Sequence, residues 1–292
     1  MSNHNGLALG TVQFGLPYGI ANETGQISQK EAISILECAW QEGVDTLDTA
    51  VTYGESEERL GNIGIKQWDV ISKLPAVPED CKDISGWVYN QVTESTERLG
   101  IIKLRGLLLH HPHQLLESGG NEIYTALTKL IEQNIVEKIG LSIYDPVELS
   151  PILSRYEFGI VQAPFNIVDR RLYTSGWLEK LTKSDIEVHV RSIFLQGLLL
   201  MNKQQRRVTF SRWNPLWKDY DNWLHEKNIS PMEACLSFVN SFSEINRIVV
   251  GVDSLKQFQG IIKAHTATVF DYPSSLSCED PNLITPSRWV NS

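Results

Sequence analysis

The stretch VDTLDTAVTYGESEERLGNIGIKQWDVISKL, residues 44–74, decides the fold. It opens on one short apolar run, Val44 to Thr49, and closes on another, Val70 to Leu74, with a longer polar segment between them. Runs this short and this rich in Val, Ile and Leu predict strands of a parallel sheet covered on both faces, joined by a crossover helix. The rhythm continues in both directions, through Leu7 to Phe14, Gly106 to His110, Val136 to Ser142, Ile160 to Pro164, Glu187 to Phe194 and Arg247 to Gly251. Eight units of this kind predict an α/β protein of one domain spanning 1–292, a closed (β/α)8 TIM barrel, with an open doubly wound sheet as the alternative. Both architectures gather chemistry at the C-terminal ends of strands.

Between the runs, four predicted helix starts carry a capping pair, a Ser or Asp followed three positions on by Glu or Gln: Ser28 with Glu31, Asp145 with Glu148, Ser230 with Glu233 and Ser254 with Gln257. Pro146 and Pro231 take first helical positions, where a missing N–H costs nothing. Ile84, Val88, Val92, Ser95 and Leu99 recur at helical spacing, as do Ile123, Leu127, Leu130 and Ile131, with Ser95 the one polar interruption. The segment 198–229 has no strand pattern and is crowded with Trp213, Trp217, Tyr220 and Trp223. Connections of this length serve as lids or binding loops, and these rings, with Phe14, Tyr18 and Trp87, either line a pocket or cover the barrel's outside. The tail from Phe270 is polar, and either stays disordered or closes over the mouth.

The chain's 292 residues accommodate one barrel of about 250. A net charge of −9 offers no basic field for nucleic acid. No run approaches the ~18 apolar residues of a membrane span, and the first residues lack the pattern of a secretory signal, so the expectation is a cytoplasmic protein with neither membrane nor nucleic acid as partner. Cys38, Cys81, Cys235 and Cys278 form no CxxC pair and suggest reduced structural thiols. The cluster His110, His111 and His113 invites a metal-dependent hydrolase reading, but neighbouring strand residues face opposite ways, so no metal is expected.

Four residues that handle protons stand where strands end: Asp48 after the second, Tyr53 just beyond it, Lys73 ending the third and His110 ending the fourth. A phenol is a poor acid at neutral pH unless a neighbouring ammonium stabilises its phenolate. Lys73 is placed to do so. Asp48 would hold that ammonium, and His110 would donate to a substrate oxygen. Four such groups at successive strand ends are hard to explain as packing, because buried charge is costly without partners.

In chain order, LGTVQFG, LDTAVTYGESEERLG, ISKLP, LLLHHP, IGLSIY and QAPFN resemble the aldo-keto reductase family over most of the chain. The resemblance implies an NAD(P)H-dependent oxidoreductase that reduces a small-molecule aldehyde or ketone, with Tyr53, Asp48, Lys73 and His110 as catalytic residues and Tyr53 as the general acid. It further implies a cofactor lying across the strand ends without a Gly-rich phosphate loop. Ser142 and Gln162 would hold the carboxamide, with Asn166 a weaker candidate; Gly10, Thr11 and Asp48 would approach from the first two strands. Arg191, Ser192, Leu195 and Gly197 would follow strand seven, and Gly251, Ser254 and Gln257 would take the adenosine end. NADPH is the family's usual cofactor, but GVDSLKQ lacks the Lys and Arg that many members aim at a 2′-phosphate and adds Asp253, which leaves NADH open; Lys256, or Lys203, Arg206 and Arg207 from nearby loops, would restore phosphate affinity, although such a charge run is more often a solvated face. Ile143 and Arg191 also depart from the family pattern, and they motivate an alternative reading as a nicotinamide-binding regulatory or sensor protein with little turnover.

Overall fold

In the computed structural model, residues 6–22, 24–267 and 271–291 are described. Their strands are β1 (Leu7–Gly10), β2 (Thr46–Asp48), β3 (Asp69–Leu74), β4 (Leu104–Leu109), β5 (Val136–Ser142), β6 (Ile160–Pro164), β7 (Glu187–Arg191) and β8 (Arg247–Gly251). Each pairs in parallel with the next, and β8 returns to β1 with Leu9 opposite Val250 and Gly10 opposite Gly251. The sheet is a closed barrel, which removes the open-sheet alternative and leaves no strand edge to protect.

The helices are α1 (Val12–Gly15), α2 (Gln29–Gln41), α3 (Ser56–Ile63), α4 (Ile84–Leu99), α5 (Gly120–Glu132), α6 (Leu149–Leu153), α7 (Arg171–Thr174), α8 (Trp177–Lys183), α9 (Asn214–Lys227), α10 (Pro231–Asn240), α11 (Leu255–His265) and α12 (Pro281–Ile284). All four predicted caps form on the side of the Ser or Asp. Those at Asp145 and Ser230 are reciprocal. At Ser28 and Ser254 the return arm is spent elsewhere: Glu31 reaches α11, and the Gln257 amide oxygen accepts from the Asp253 N–H.

Side chains alternate across each strand, so the registers fix which residues face inward. Ile71, Leu108 and Ile160 form a small plug inside the barrel. A far larger core fills the space between strands and helices, drawing Val88, Val92 and Leu99 from α4 and Ile123, Leu127 and Leu130 from α5. Each such Leu or Ile contributes about 1.5–3 kcal/mol by leaving water. Ile131 departs from the predicted face and is exposed. Ser95 interrupts the apolar stripe because its hydroxyl donates to the buried carboxylate of Glu57 at 2.7 Å. Ser72 and Arg98 complete that carboxylate's partners.

Two strands stop earlier than the sequence predicts. The first ends at Gly10, and the apolar residues after it form α1, with Phe14 buried beneath the mouth. The seventh ends at Arg191, because Ser192 turns to a left-handed φ of 59°. The segment 198–229 is less irregular than expected: Asn214–Lys227 is the helix α9, and Trp217, Tyr220 and Trp223 are buried rather than lining a pocket. Between Trp217 and Tyr220 lies the Arg206 guanidinium, paired with Asp221 at 2.6 and 2.8 Å. Trp213 and Trp87 likewise pack on the large core. Of the tail, Phe270 lies outside the described residues; further on, Leu276, Leu283, Ile284 and Trp289 are buried, and Trp289 meets Phe210 edge-on at 5.0 Å.

Candidate active site

The inward positions at the strand ends converge. Gly10, Asp48, Lys73, His110, Arg191 and Gly251 all border one cavity of about 510 Å³ at the C-terminal mouth, within the range of small-molecule sites. Tyr53 reaches it from the β2–α3 loop, whose turn is locked by a close backbone approach. A Cβ on Gly15 would stand 1.7 Å from the Tyr53 carbonyl oxygen, and Gly54 has a left-handed φ of 56°. Glycine at both positions lets α1 press against the Tyr53 turn and fix where the ring points.

Lys73 is buried, and its ammonium donates to Asp48 Oδ1 at 2.5 Å and to the Thr49 carbonyl at 3.0 Å. It stands 5.1 Å from the centre of the Tyr53 ring. Burial works against its charge, but Asp48 and then Tyr53 outweigh that penalty and hold the ammonium above the ordinary lysine range. The second oxygen of Asp48 accepts from the Gln162 amide at 2.6 Å. His110 presents its ring edge-on to Tyr53, 6.2 Å between centres. Burial, then the positive charges of Lys73 and Arg191, push its pKa from 6.5 to about 3, so the imidazole is neutral at physiological pH.

The three histidines stand in a row, ring centres 5.8 and 5.9 Å apart, and β4 ends before them at Leu109. Among the described residues no three His, Cys, Asp or Glu side chains are grouped to hold a metal.

Of the residues expected around a cofactor, Gly10, Thr11, Asp48, Arg191, Ser192, Gly197, Gly251 and Gln257 border the cavity. Ser142, Gln162, Asn166, Leu195 and Ser254 do not. The Thr11 hydroxyl is already engaged, donating to the Asp48 carbonyl at 3.1 Å. Asn166 is spent on its own loop, accepting from Val168 and Asp169 N–H and donating to the Ser192 carbonyl. Leu195 is buried and Ser254 caps α11.

Ser142 and Gln162 are different. They lie side by side in register, and Ser142 Oγ and Gln162 Oε1 are both buried without a hydrogen-bond partner. An unmet buried polar atom costs about 1–3 kcal/mol, and a hydroxyl beside an amide oxygen is the complement of a primary carboxamide. The residues present therefore fit a nicotinamide.

The chain after β7 is strained, with left-handed φ at Ser192, Leu195 (48°) and Gln196 (52°) as well as at Gly197. For residues other than glycine this costs about 1–3 kcal/mol each, a cost that clusters at functional sites. Gln196 is fixed by donating to the Tyr18 phenol at 2.9 Å.

Sequence reasoning missed Asn22, Tyr144 and Gln196, all of which border the cavity. Asn22 donates to Asp253 at 3.0 Å across 231 positions, a pairing no local pattern could signal. At the same end, the Glu31 carboxylate accepts from the Leu255 N–H at the start of α11.

A barrel mouth that joins a phenol, an ammonium, a carboxylate and a neutral imidazole around one cavity is suited to moving a proton to or from a substrate oxygen. Residues 6–273 match the model of the Aldo/keto reductase family. The chain belongs to that family, whose members are oxidoreductases of small-molecule carbonyl compounds that use nicotinamide cofactors.

Among relatives, it is 24% identical to a D-threo-aldose 1-dehydrogenase of a Pseudomonas species, over 69% of this chain and 70% of that one. Its fold is similar to that of an aldo-keto reductase from Bacillus halodurans in its holo form, with TM-score 0.72, 17% identity and coverage of 91% of this chain and 88% of the other. A glycerol dehydrogenase from Gluconobacter oxydans gives TM-score 0.70 at 18% identity over the same shares. Among the described residues, no helix is long and apolar enough to cross a membrane.

Proposed function

We propose that this protein interconverts an aldehyde or ketone and its alcohol with NAD(P)H, with Tyr53 as the general acid in reduction. The observation that carries this reading is the buried Lys73–Asp48 pair with its ammonium aimed at the Tyr53 ring. When bound, the dihydronicotinamide supplies hydride to the carbonyl carbon.

The chain's own residues do the rest. Lys73 stabilises the phenolate left when Tyr53 gives its proton to the substrate oxygen, and Asp48 keeps Lys73 charged and in place. His110, being neutral, donates a hydrogen bond to that oxygen without competing for its proton. The buried walls of the mouth keep water from these groups and strengthen each interaction.

Ser142 and Gln162 would hold the carboxamide, and Gly10, Thr11, Asp48, Arg191 and Ser192 would flank the ring. Gly197, Gly251 and Gln257 would lie towards the adenosine, while Asn166, Leu195 and Ser254 act by shaping the loops around it. The two carboxylates near the start of α11, Glu31 and Asp253, favour NADH over NADPH.

The decisive experiment is Tyr53→Phe. Reduction of a panel of aldehydes should fall about 10²–10⁴-fold, while quenching of tryptophan fluorescence by the cofactor persists. Undiminished reduction by the variant would defeat the reading.

A further inference from the structure

The mouth carries a second hollow, of about 480 Å³, that shares Tyr144 and Arg191 with the first and adds Arg207 and Trp289. Among the described residues, no Asp or Glu stands in its wall. Several half-buried arginines of this chain of net charge −9 find acids: Arg98 meets Glu57, Arg105 meets Glu187, and Arg171 meets Asp169, whereas Arg170 is spent on the Ile167 and Pro273 carbonyls.

Arg191 has no acidic partner among the described residues. Its guanidinium donates to the Ile143 carbonyl at 3.0 Å and to the Ser192 hydroxyl at 3.4 Å, and lies 4.6 Å from the centre of the Tyr144 ring. These neutral contacts fix its plane and leave its charge unbalanced. Arg207 forms no ion pair among the described residues and faces the same hollow. Arg191 is half-buried and Arg207 exposed, and an incoming anion would pair with both guanidinia where no acid among the described residues already does. Its flat fork matches the oxygens of a carboxylate or a phosphate.

We propose that the carbonyl substrate bears a carboxylate or phosphate group, held by Arg191 and Arg207 in the second hollow while the carbonyl lies between Tyr53 and His110 in the first. The inference rests on the carbonyl-reductase reading above and names its substrate class. Because Arg191 borders both hollows, it marks where the charged end of the substrate turns away from the reacting end. Arg207 borders the second alone, so it probes the anion without touching the first. Trp289 gives the hollow an apolar wall for the carbon chain between the two ends.

The test compares kcat/KM for succinic semialdehyde against butanal and for glyceraldehyde 3-phosphate against glyceraldehyde. It uses the unaltered protein, Arg207→Gln, and Arg207→Gln combined with Arg191→Gln. The anionic member of at least one pair should be preferred roughly tenfold or more, as one charge-assisted contact allows, and which pair shows it distinguishes carboxylate from phosphate. That preference should shrink in Arg207→Gln and vanish in the double variant. Equal rates within both pairs, or a preference that survives both substitutions, would overturn the proposal.

Calorimetric titration with succinate and with inorganic phosphate reads the anion site without turnover. Binding that is lost in the double variant supports the site even where no aldehyde is reduced, and it is then the reductase reading that fails. Absence of binding by either anion to the unaltered protein counts against the site.

Discussion

The Glu31 carboxylate accepts a hydrogen bond from the Leu255 N–H at 2.6 Å, so a side chain of α2 occupies the first turn of α11. A helix N-terminus ordinarily welcomes an anion, but this one already carries its own, with Asp253 beside it. A 2′-phosphate brings up to about two further negative charges to that neighbourhood. NADH should therefore quench tryptophan fluorescence at lower concentration than NADPH, by about tenfold, equivalent to about 1.4 kcal/mol. Glu31→Gln with Asp253→Asn should narrow the gap. Tighter binding of NADPH to the unaltered protein would refute this assignment.

Replacing Lys73 by Met strands the Asp48 carboxylate in a buried site, at a cost of about 3–5 kcal/mol in unfolding free energy. Adding Asp48→Asn should recover part of that loss, since the two residues act as one unit. Because the folded pKa of Lys73 is raised, its contribution to stability is complete below the ordinary lysine pKa and disappears as pH rises through the higher folded value. Denaturant titrations from neutral to strongly alkaline pH check both points. Simple additivity of the two substitutions would contradict the coupling.

His110 titrates in the opposite sense. Its pKa falls from 6.5 to about 3 on folding, so the unfolded chain binds a proton that the folded one refuses. Its contribution is complete above 6.5 and is lost as pH falls towards 3. His110→Gln should flatten the acid limb of a stability curve between those values, and the rate of reduction should show no step near 6.5 assignable to this ring. An NMR titration of His110 with a midpoint near 6.5 would contradict both statements.

Ser95→Ala removes one of the donors that satisfy the buried Glu57 carboxylate. The expected loss is about 1–3 kcal/mol, read as a lower denaturation midpoint with an unchanged slope. A neutral substitution would mean that Arg98 and Ser72 alone suffice.

Most of the barrel was legible because each strand is a short buried run and four of the crossovers carry a capping signal, as at Asp145 and Ser230. The meeting of Asp48, Lys73 and His110 was legible for a geometric reason: they follow the inward alternation of their strands, so the chain order of strand ends gives their meeting place. Misreadings came where hydrophobicity lacks a period. Phe14 and Phe194 looked like strand extensions, yet Thr11 and Ser192 turn the chain before them. The rings of α9 were ambiguous because an aromatic buried against a barrel's outside and one lining its mouth have the same composition. Long-range pairs such as Asn22 with Asp253 leave no trace in spacing at all.

Lys73 has almost no contact with water, its side chain being 1% exposed, and two of its donors are committed to Asp48 and Thr49. In the proposed reaction, the proton that Tyr53 gives to the product oxygen leaves with the alcohol, and solvent does not reach so enclosed an ammonium to replace it directly. The replacement would come by the open doorway through which the alcohol departs, so recharging the acid and clearing the product would share one threshold.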